Sequence, residues 1–423
     1  MENPRSLAFG PADILLPLEC EYSKWSVVAC DQFTSQPEYW ERVERTVGMA
    51  PSTLRMVLPE NCLDGPNVET DILDINNTMT KFLREGRFRE FDDALIYVER
   101  TQSDGRVRKG LVGKIDLERY DYEPDSEMAV RATEGTVMSR IPPRVAVRKN
   151  APIELPHVML LFDDPQRTVI GPLAARKGKM KELYNFDLME NGGHVSGWLL
   201  DRESMALVLD AFAALNDPEA VKARYGVDTD FQFAVGDGNH SLATAKECYE
   251  RQKQLHHPES WASLPSRYAL CEVVDLYDDA LDFKPIHRVL FDVKGKDLLK
   301  SLLAYYPDAY QGQGAGHVLR YVCGGEKGCV TVPHPKDRLV CGTLQTFLDD
   351  YMTTHSGSID YIHGDDVALD LGSRQGNMAF FLPPMDKKDL FPAVLRDGVL
   401  PRKTFSMGEA RDKRYYLEAR RIR

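Results

Sequence analysis

The segment FQFAVGDGNHSLATAKECYE, residues 231–250, constrains this chain more than any other. An aromatic and β-branched run ends at Val235. Gly236-Asp237-Gly238-Asn239-His240-Ser241 follows, and a helix-forming stretch begins at once. That order predicts strand, glycine turn, helix. Such a corner aims main-chain N–H groups beyond the strand end, where the helix dipole adds about half a positive charge. Gly236 and Gly238 let the backbone approach an anion closely. Asp237 is suited to hold a metal ion or take a proton, and His240 to steady charge on a phosphoryl oxygen or act as acid or base. The plainer alternative is a polar turn capped by Asn239 or Ser241, with a surface histidine. Neither the GKS or GKT of a Walker loop nor GxGxxG occurs here.

Around this corner, strand-like and helix-like patterns mix throughout, so the expected class is mixed α/β (α+β). Pro37 opens a helix with Tyr39, Trp40, Val43 and Val47 on one face and Gly48 as its stop. A second helix is expected near Asp71 to Glu85, and a β-hairpin from ALIYVERTQ through Ser103-Asp104-Gly105. Pro142-Pro143 to Pro156 reads as a linker. With 423 residues and roughly 100–200 per domain, three parts are expected: 1–150, 151–290 with the turn, and 291–423.

Charge narrows the partners. There are 53 basic against 65 acidic residues, a net −12. The average surface therefore repels phosphate, which argues against nucleic acid and a polybasic membrane anchor and favours a small-molecule ligand. An anionic ligand must then be gathered locally by backbone amides and a few Arg or Lys. No apolar run approaches the ~18–20 residues of a bilayer span. The scattered cysteines and the lack of a signal peptide pattern read as a cytoplasmic protein with reduced thiols.

Seven segments, KWSVVACDQFTSQPEYWE, RATEGTVMSRIPPR, LPHVMLLFDDP, NGGHVSGW, VGDGNHSLATAK, PIHRVLFD and LPRKTFSMGEA, together with YIHG, run from Lys24 to Ala410. On these the chain resembles the uncharacterised DUF1015 family over nearly its whole length. The turn alone resembles the DGHHR turn of the ParB, sulfiredoxin and free-serine-kinase group, where strand, turn and helix cradle nucleotide phosphates. Asp237, Gly238 and His240 match that pattern. Asn239 and Ser241 depart from it, and the phosphate-clamping Arg is missing. Another basic residue has to replace it, and Arg131, Arg140 and Arg144, bracketing Glu134, are the candidates.

The resemblance implies an ATP- or ADP-dependent kinase acting on a hydroxyl of a small metabolite, with Mg²⁺. Asp237 or Glu134 would be the base, with Gly236, Gly238, Asn239, Ser241 and the arginines around the nucleotide. Two other readings stand beside it. One is a nucleotide sensor without turnover. The other is a metal-dependent hydrolase using His363, Asp365 and Asp366. Four more places carry candidate chemistry. Asn191-Gly192-Gly193-His194 reads as a hairpin turn or a ligand flap, His287 as structural or acid/base, and Asp163-Asp164 as a turn or a strand-end site. The basic C-terminal tail reads as a solvated strand edge.

Overall fold

The computed structural model describes residues 6–29, 33, 36–59, 62, 65–136, 138 and 141–423. The chain is a mixed α/β protein that divides into two compact units. One is residues 1–281 with 409–423, and the other is 282–408.

A sheet of ten strands forms the first unit's frame, counted over the described residues. Its order runs Lys181–Asp187, His194–Leu199, Ile96–Thr101, Val107–Asp116, Tyr268–Asp275, Met159–Phe162, Phe233–Asp237, Val130–Arg131, Tyr120–Asp121, with Phe9–Gly10 added beside Val107–Asp116. Strands from before and after residue 150 alternate in this sheet, so residues 1–150 and 151–281 build one unit.

Both faces are buried, which explains the nearly continuous apolar runs of its central strands. Ile96, Val98, Val112 and Leu270 face a core with Trp25, Val43 and Met79. Tyr97, Leu111, Cys271 and Val273 face the opposite core, with Phe162, Phe212, Phe233 and Leu242. Expected helices appear at Pro37–Val47, ended by Gly48 at φ 55°, and at Val68–Arg84. The expected linker is instead the helix Ile141–Arg148 followed by a short strand, Ile153–Glu154. Pro142 and Pro143 sit in its first turn, where a missing N–H costs no intrahelical bond.

The second unit has its own six-stranded path plus Phe405–Met407, which pairs with the start of Phe283–Phe291. Helices Gly295–Tyr305 and Val340–Thr354 cover one face through Leu298, Leu302, Leu344 and Phe347, and helix Asp365–Ser373 covers the other through Ala368.

Candidate functional site

The predicted corner forms as strand Phe233–Asp237, Gly238, helix Asn239–Lys253. Gly238 sits at φ 88°, ψ 25°, the left-handed region. A Cβ there would lie 3.0 Å from Val158 Cγ2 and 3.1 Å from Val158 Cα. Glycine is therefore required for both conformation and space. The corner is pressed against His157-Val158 because Met159 pairs with Asp237 in the neighbouring antiparallel strand.

Not every amide at the corner is available to a guest. The Gly238 N–H donates to Asp237 Oδ1 at 3.1 Å, and Leu242 N–H to the Gly238 carbonyl at 3.0 Å. The first-turn amides of residues 239–241 have no acceptor in their own helix, one step later than expected from the glycines. The N-cap residue, Gly238, has no side chain to cap this helix start. Asn239 Oδ1 is buried there without a hydrogen-bond partner.

Asp237 is held from the other side by Lys413, whose Nζ lies 3.1 Å from Oδ2. The lysine side chain is 12% exposed, so this pair is partly shielded from solvent screening. The cation at the corner therefore comes from the C-terminal segment, which the sequence reading had placed on a solvated edge.

Beside the corner lies a pocket of about 170 Å³ within the first unit. Met56, Met79, Ile153 and Leu155 make apolar wall, and Ser241, Thr244, His157, Tyr416, Arg144 and Arg148 supply polar groups. Helix Ile141–Arg148 delivers Arg144 by packing Ile141 and Val145 on Ala243 and Cys248 of the turn helix. Ser241 Oγ is 3.3 Å from His157 Nε2, and the Tyr416 hydroxyl is 2.9 Å from His157 Nδ1. Arg148 pairs with buried Glu154 at 2.6 Å, and Arg420 reaches the same carboxylate at 2.7 Å. Burial opposes ionisation of Glu154, but Arg420, Arg148 and the Leu270 amide outweigh it and hold the carboxyl below its usual range.

The remaining candidates separate clearly. Thr133 Oγ1 donates to the Val235 carbonyl at 2.6 Å. Glu134 follows Thr133, three residues past the strand Val130–Arg131 that pairs with Phe233 and Ala234. Ser241 and Arg144 share the pocket. Gly236, Asp237, Gly238, Asn239 and His240 form the corner itself. His240 shares a helix face with Ala243, and its carbonyl accepts from Thr244 Oγ1.

Arg131 is not brought to the turn. It pairs level with Ala234, three residues short of Asp237, and its guanidinium donates to the Met128 carbonyl and Thr229 Oγ1 while lying 4.7 Å over the Phe231 ring. Arg140 lies outside the described residues.

Elsewhere the plainer readings fit the contacts. Asn191 to Gly193 turn the hairpin between Lys181–Asp187 and His194–Leu199, with Asn191 and Gly193 at positive φ. His287 accepts from the Leu382 amide at Nδ1 and faces Asp365 across 2.8 Å at Nε2, so it joins strand to helix within the second unit. Asp365 is thereby engaged, and no group of three or more His, Cys, Asp or Glu among the described residues is placed to hold a metal ion. Asp164 Oδ2 accepts from Thr168 Oγ1 and the Val169 amide, which shapes the turn after Met159–Phe162.

Three residues of the site escaped the sequence reading: His157, Tyr416 and Lys413. His157 carried one signal, a polar residue between Pro156 and the apolar run VMLLF. The other two lie more than 170 residues beyond the turn in sequence, and no local pattern links them to it.

The family model described as "Protein of unknown function (DUF1015)" matches residues 15–355. The chain belongs to that family. This DUF1015 protein has no match among curated proteins. Among solved structures it is similar to free serine kinase in complex with AMP, at 11% identity and a TM-score of 0.38, over 72% of this chain and 90% of that one. It is similar also to SbnI with a C-terminal truncation from Staphylococcus aureus, at 7% identity and 0.37, over 70% and 82%. A conserved hypothetical protein from Pyrococcus furiosus matches at 11% and 0.35, over 70% and 89%. No helix among the described residues is long and apolar enough to cross a membrane.

Proposed function

We propose that this DUF1015 protein binds a nucleotide, ATP or ADP, at the Asp237–Ser241 corner and transfers a phosphoryl group to a hydroxyl of a small metabolite. The observation that carries this reading is Lys413 on Asp237 Oδ2, beside a helix start with glycine at the N-cap and a pocket with Arg144 in its wall. Lys413 takes the charge-balancing place of the Arg that the turn lacks. The apolar wall suits a base or ribose face, and the first-turn amides of residues 239–241 suit phosphate oxygens. Glu134, next to the Thr133 that donates to the Val235 carbonyl, takes the hydroxyl proton, and His240 steadies the transferring group. Asp237 and Glu134 are hard oxygen donors, the ligand type that Mg²⁺ takes. Mg²⁺ held there would neutralise phosphate charge.

Calorimetric titration of ATP, ADP and CTP, with and without Mg²⁺, tests it. Wild type is expected to bind at least one of them, and Lys413→Ala to weaken that binding at least ten-fold. No binding by any of the three retires the reading. A second reading, a sensor that binds without turnover, is favoured by Asp237 having both oxygens engaged, by Gly238 N–H and by Lys413. Tight binding with no product from a pool of small hydroxyl compounds selects it.

A further inference from the structure

The pocket beside the corner also contains a serine–histidine–tyrosine arrangement, whose ligand would share the apolar wall and Arg144 with a bound nucleotide. We propose that Ser241 is a nucleophile activated by His157, and that the pocket hydrolyses small carboxylic esters carrying a negative charge at their far end. Serine is a weak nucleophile until a base takes its proton, and the pairing to look for is a hydroxyl within reach of an imidazole that a third group orients. Ser241 Oγ lies 3.3 Å from His157 Nε2, and the Tyr416 hydroxyl lies 2.9 Å from Nδ1. Separations of this kind tighten when substrate binds.

The imidazole is held from several sides. The Tyr416 ring meets it edge-on at 79° with centroids 5.4 Å apart. Tyr416 is itself fixed, its N–H donating to the Val27 carbonyl at 2.7 Å and its carbonyl accepting from Ser26 Oγ at 2.9 Å. Pro156, just before the histidine, has its carbonyl on Arg414, and the Val158 carbonyl just after it accepts from the Glu272 amide at 3.0 Å. Such support from surrounding residues preorganises a catalytic base. Ser241 and His157 both line the cavity, so an electrophile there can meet the hydroxyl. The apolar wall takes the acyl chain, and Arg144 in the same lining suits a terminal carboxylate.

The reacting tautomer carries its proton on Nδ1, donated to the Tyr416 oxygen, which leaves Nε2 to accept. Oγ attacks the ester carbonyl carbon, and its proton passes to Nε2 as the Oγ–C bond forms. The ester C–O bond then breaks, and Nε2 returns that proton to the leaving oxygen. Water, deprotonated by the same nitrogen, attacks the acyl-serine, and the proton moves to Oγ as the acid departs. Atoms balance with water as the sole co-reactant. The carbonyl oxygen's developing charge falls beside the Ser241 amide, a first-turn donor with no carbonyl of its own helix to bond.

The test uses the full chain and a fluorophosphonate reporter, which phosphonylates an activated serine and expels fluoride. Wild type is expected to gain one adduct, mapped by peptide mass to Ser241. Ser241→Ala is expected to gain none there, and His157→Gln to label at least ten-fold more slowly. Tyr416→Phe is expected to move the pH profile of labelling, which a merely structural tyrosine would not. Hydrolysis of p-nitrophenyl hydrogen succinate is expected to exceed that of p-nitrophenyl butyrate, with the preference lost in Arg144→Ala. Thermal melts confirm that each variant is folded. A folded wild type that takes no adduct overturns the proposal, as does unchanged labelling in Ser241→Ala or His157→Gln. The nucleotide titration is read separately, so either proposal can fail without the other.

Discussion

At Gly238, backbone conformation and packing make the same demand. The residue turns the strand into the helix at positive φ while Val158 fills the space a side chain would need. Gly238→Ala is expected to destabilise the first unit by about 1–3 kcal/mol, from backbone strain at this conformation, and to displace His157-Val158 from the pocket. Denaturant unfolding measures the first effect, and loss of nucleotide affinity or fluorophosphonate labelling the second. The glycine pattern at this corner was legible because a left-handed turn selects residue type locally. His157 and Lys413 were not, because any sequence places a histidine before a strand or a lysine in a tail. What brings these two to the corner is a register and a chain path.

A second residue sets a pH dependence. Asp275 ends a strand parallel to Met159–Phe162 and is buried. Burial first, then Asp164 and Asp278, push its carboxyl up to about 7, against the pull of the Tyr277 amide and Arg167. The folded chain therefore holds a proton there that the unfolded chain, with an ordinary aspartate near 4, has already lost. This group's contribution is complete below about pH 4 and is lost as pH rises from about 4 to 7. Asp275→Asn keeps the neutral, hydrogen-bonding form at every pH. Its melting temperature is expected to exceed that of wild type at pH 8 and to come close to it at pH 4. Equal differences at both pH values would refute this origin.

At the scale of elements, the segment after Glu409 is the main departure from the sequence reading. Alternating charges around Tyr415, Leu417 and Ala419 predicted a strand edge in water. Ala419 instead exchanges main-chain bonds with Leu15, and Trp25 Nε1 donates to the Leu417 carbonyl at 3.0 Å. Arg414 lies between Glu272 at 2.9 Å and Glu418 at 2.7 Å, and Tyr184 donates to the other oxygen of Glu418 at 2.6 Å. Burial alone would weaken the charge on Arg414, and the two carboxylates outweigh it. Alternation identifies two faces but not which of them meets water, and here charged residues are buried because partners from distant strands receive them.

Two variants separate buried from exposed charge in this segment. Arg414→Ala leaves buried Glu418 without its cation and Glu272 with Arg108 alone, 3.5 Å away, and is expected to cost about 3–5 kcal/mol. Arg421→Ala removes an exposed pair with Glu90, 3.6 Å apart, and is expected to change stability by less than about 1 kcal/mol. Chemical denaturation of both reads the contrast, and comparable losses would contradict the assignment.

On the scale of the whole molecule, the mixed α/β class follows from alternating periodicities in the sequence, while the division of the chain does not. Pro-rich stretches mark linkers only where the prolines do not open a helix, as Pro142 and Pro143 do. The second unit, 282–408, is continuous and carries its own sheet and a core built on Leu290, Leu298, Leu344 and Phe380. The first is discontinuous, because residues 409–423 complete its core through Tyr415, Leu417 and Ala419 and supply Lys413 to the corner. The two are expected to differ when expressed alone. Residues 282–408 should unfold in one cooperative transition. Residues 1–281 should lack one, since Trp25, Glu154 and Glu272 lose buried partners together. Adding residues 409–423 through a flexible linker placed after 281 should restore both cooperative unfolding and nucleotide binding. If 1–281 alone melts cooperatively and binds nucleotide with wild-type affinity, the C-terminal segment has no part in either the core or the site.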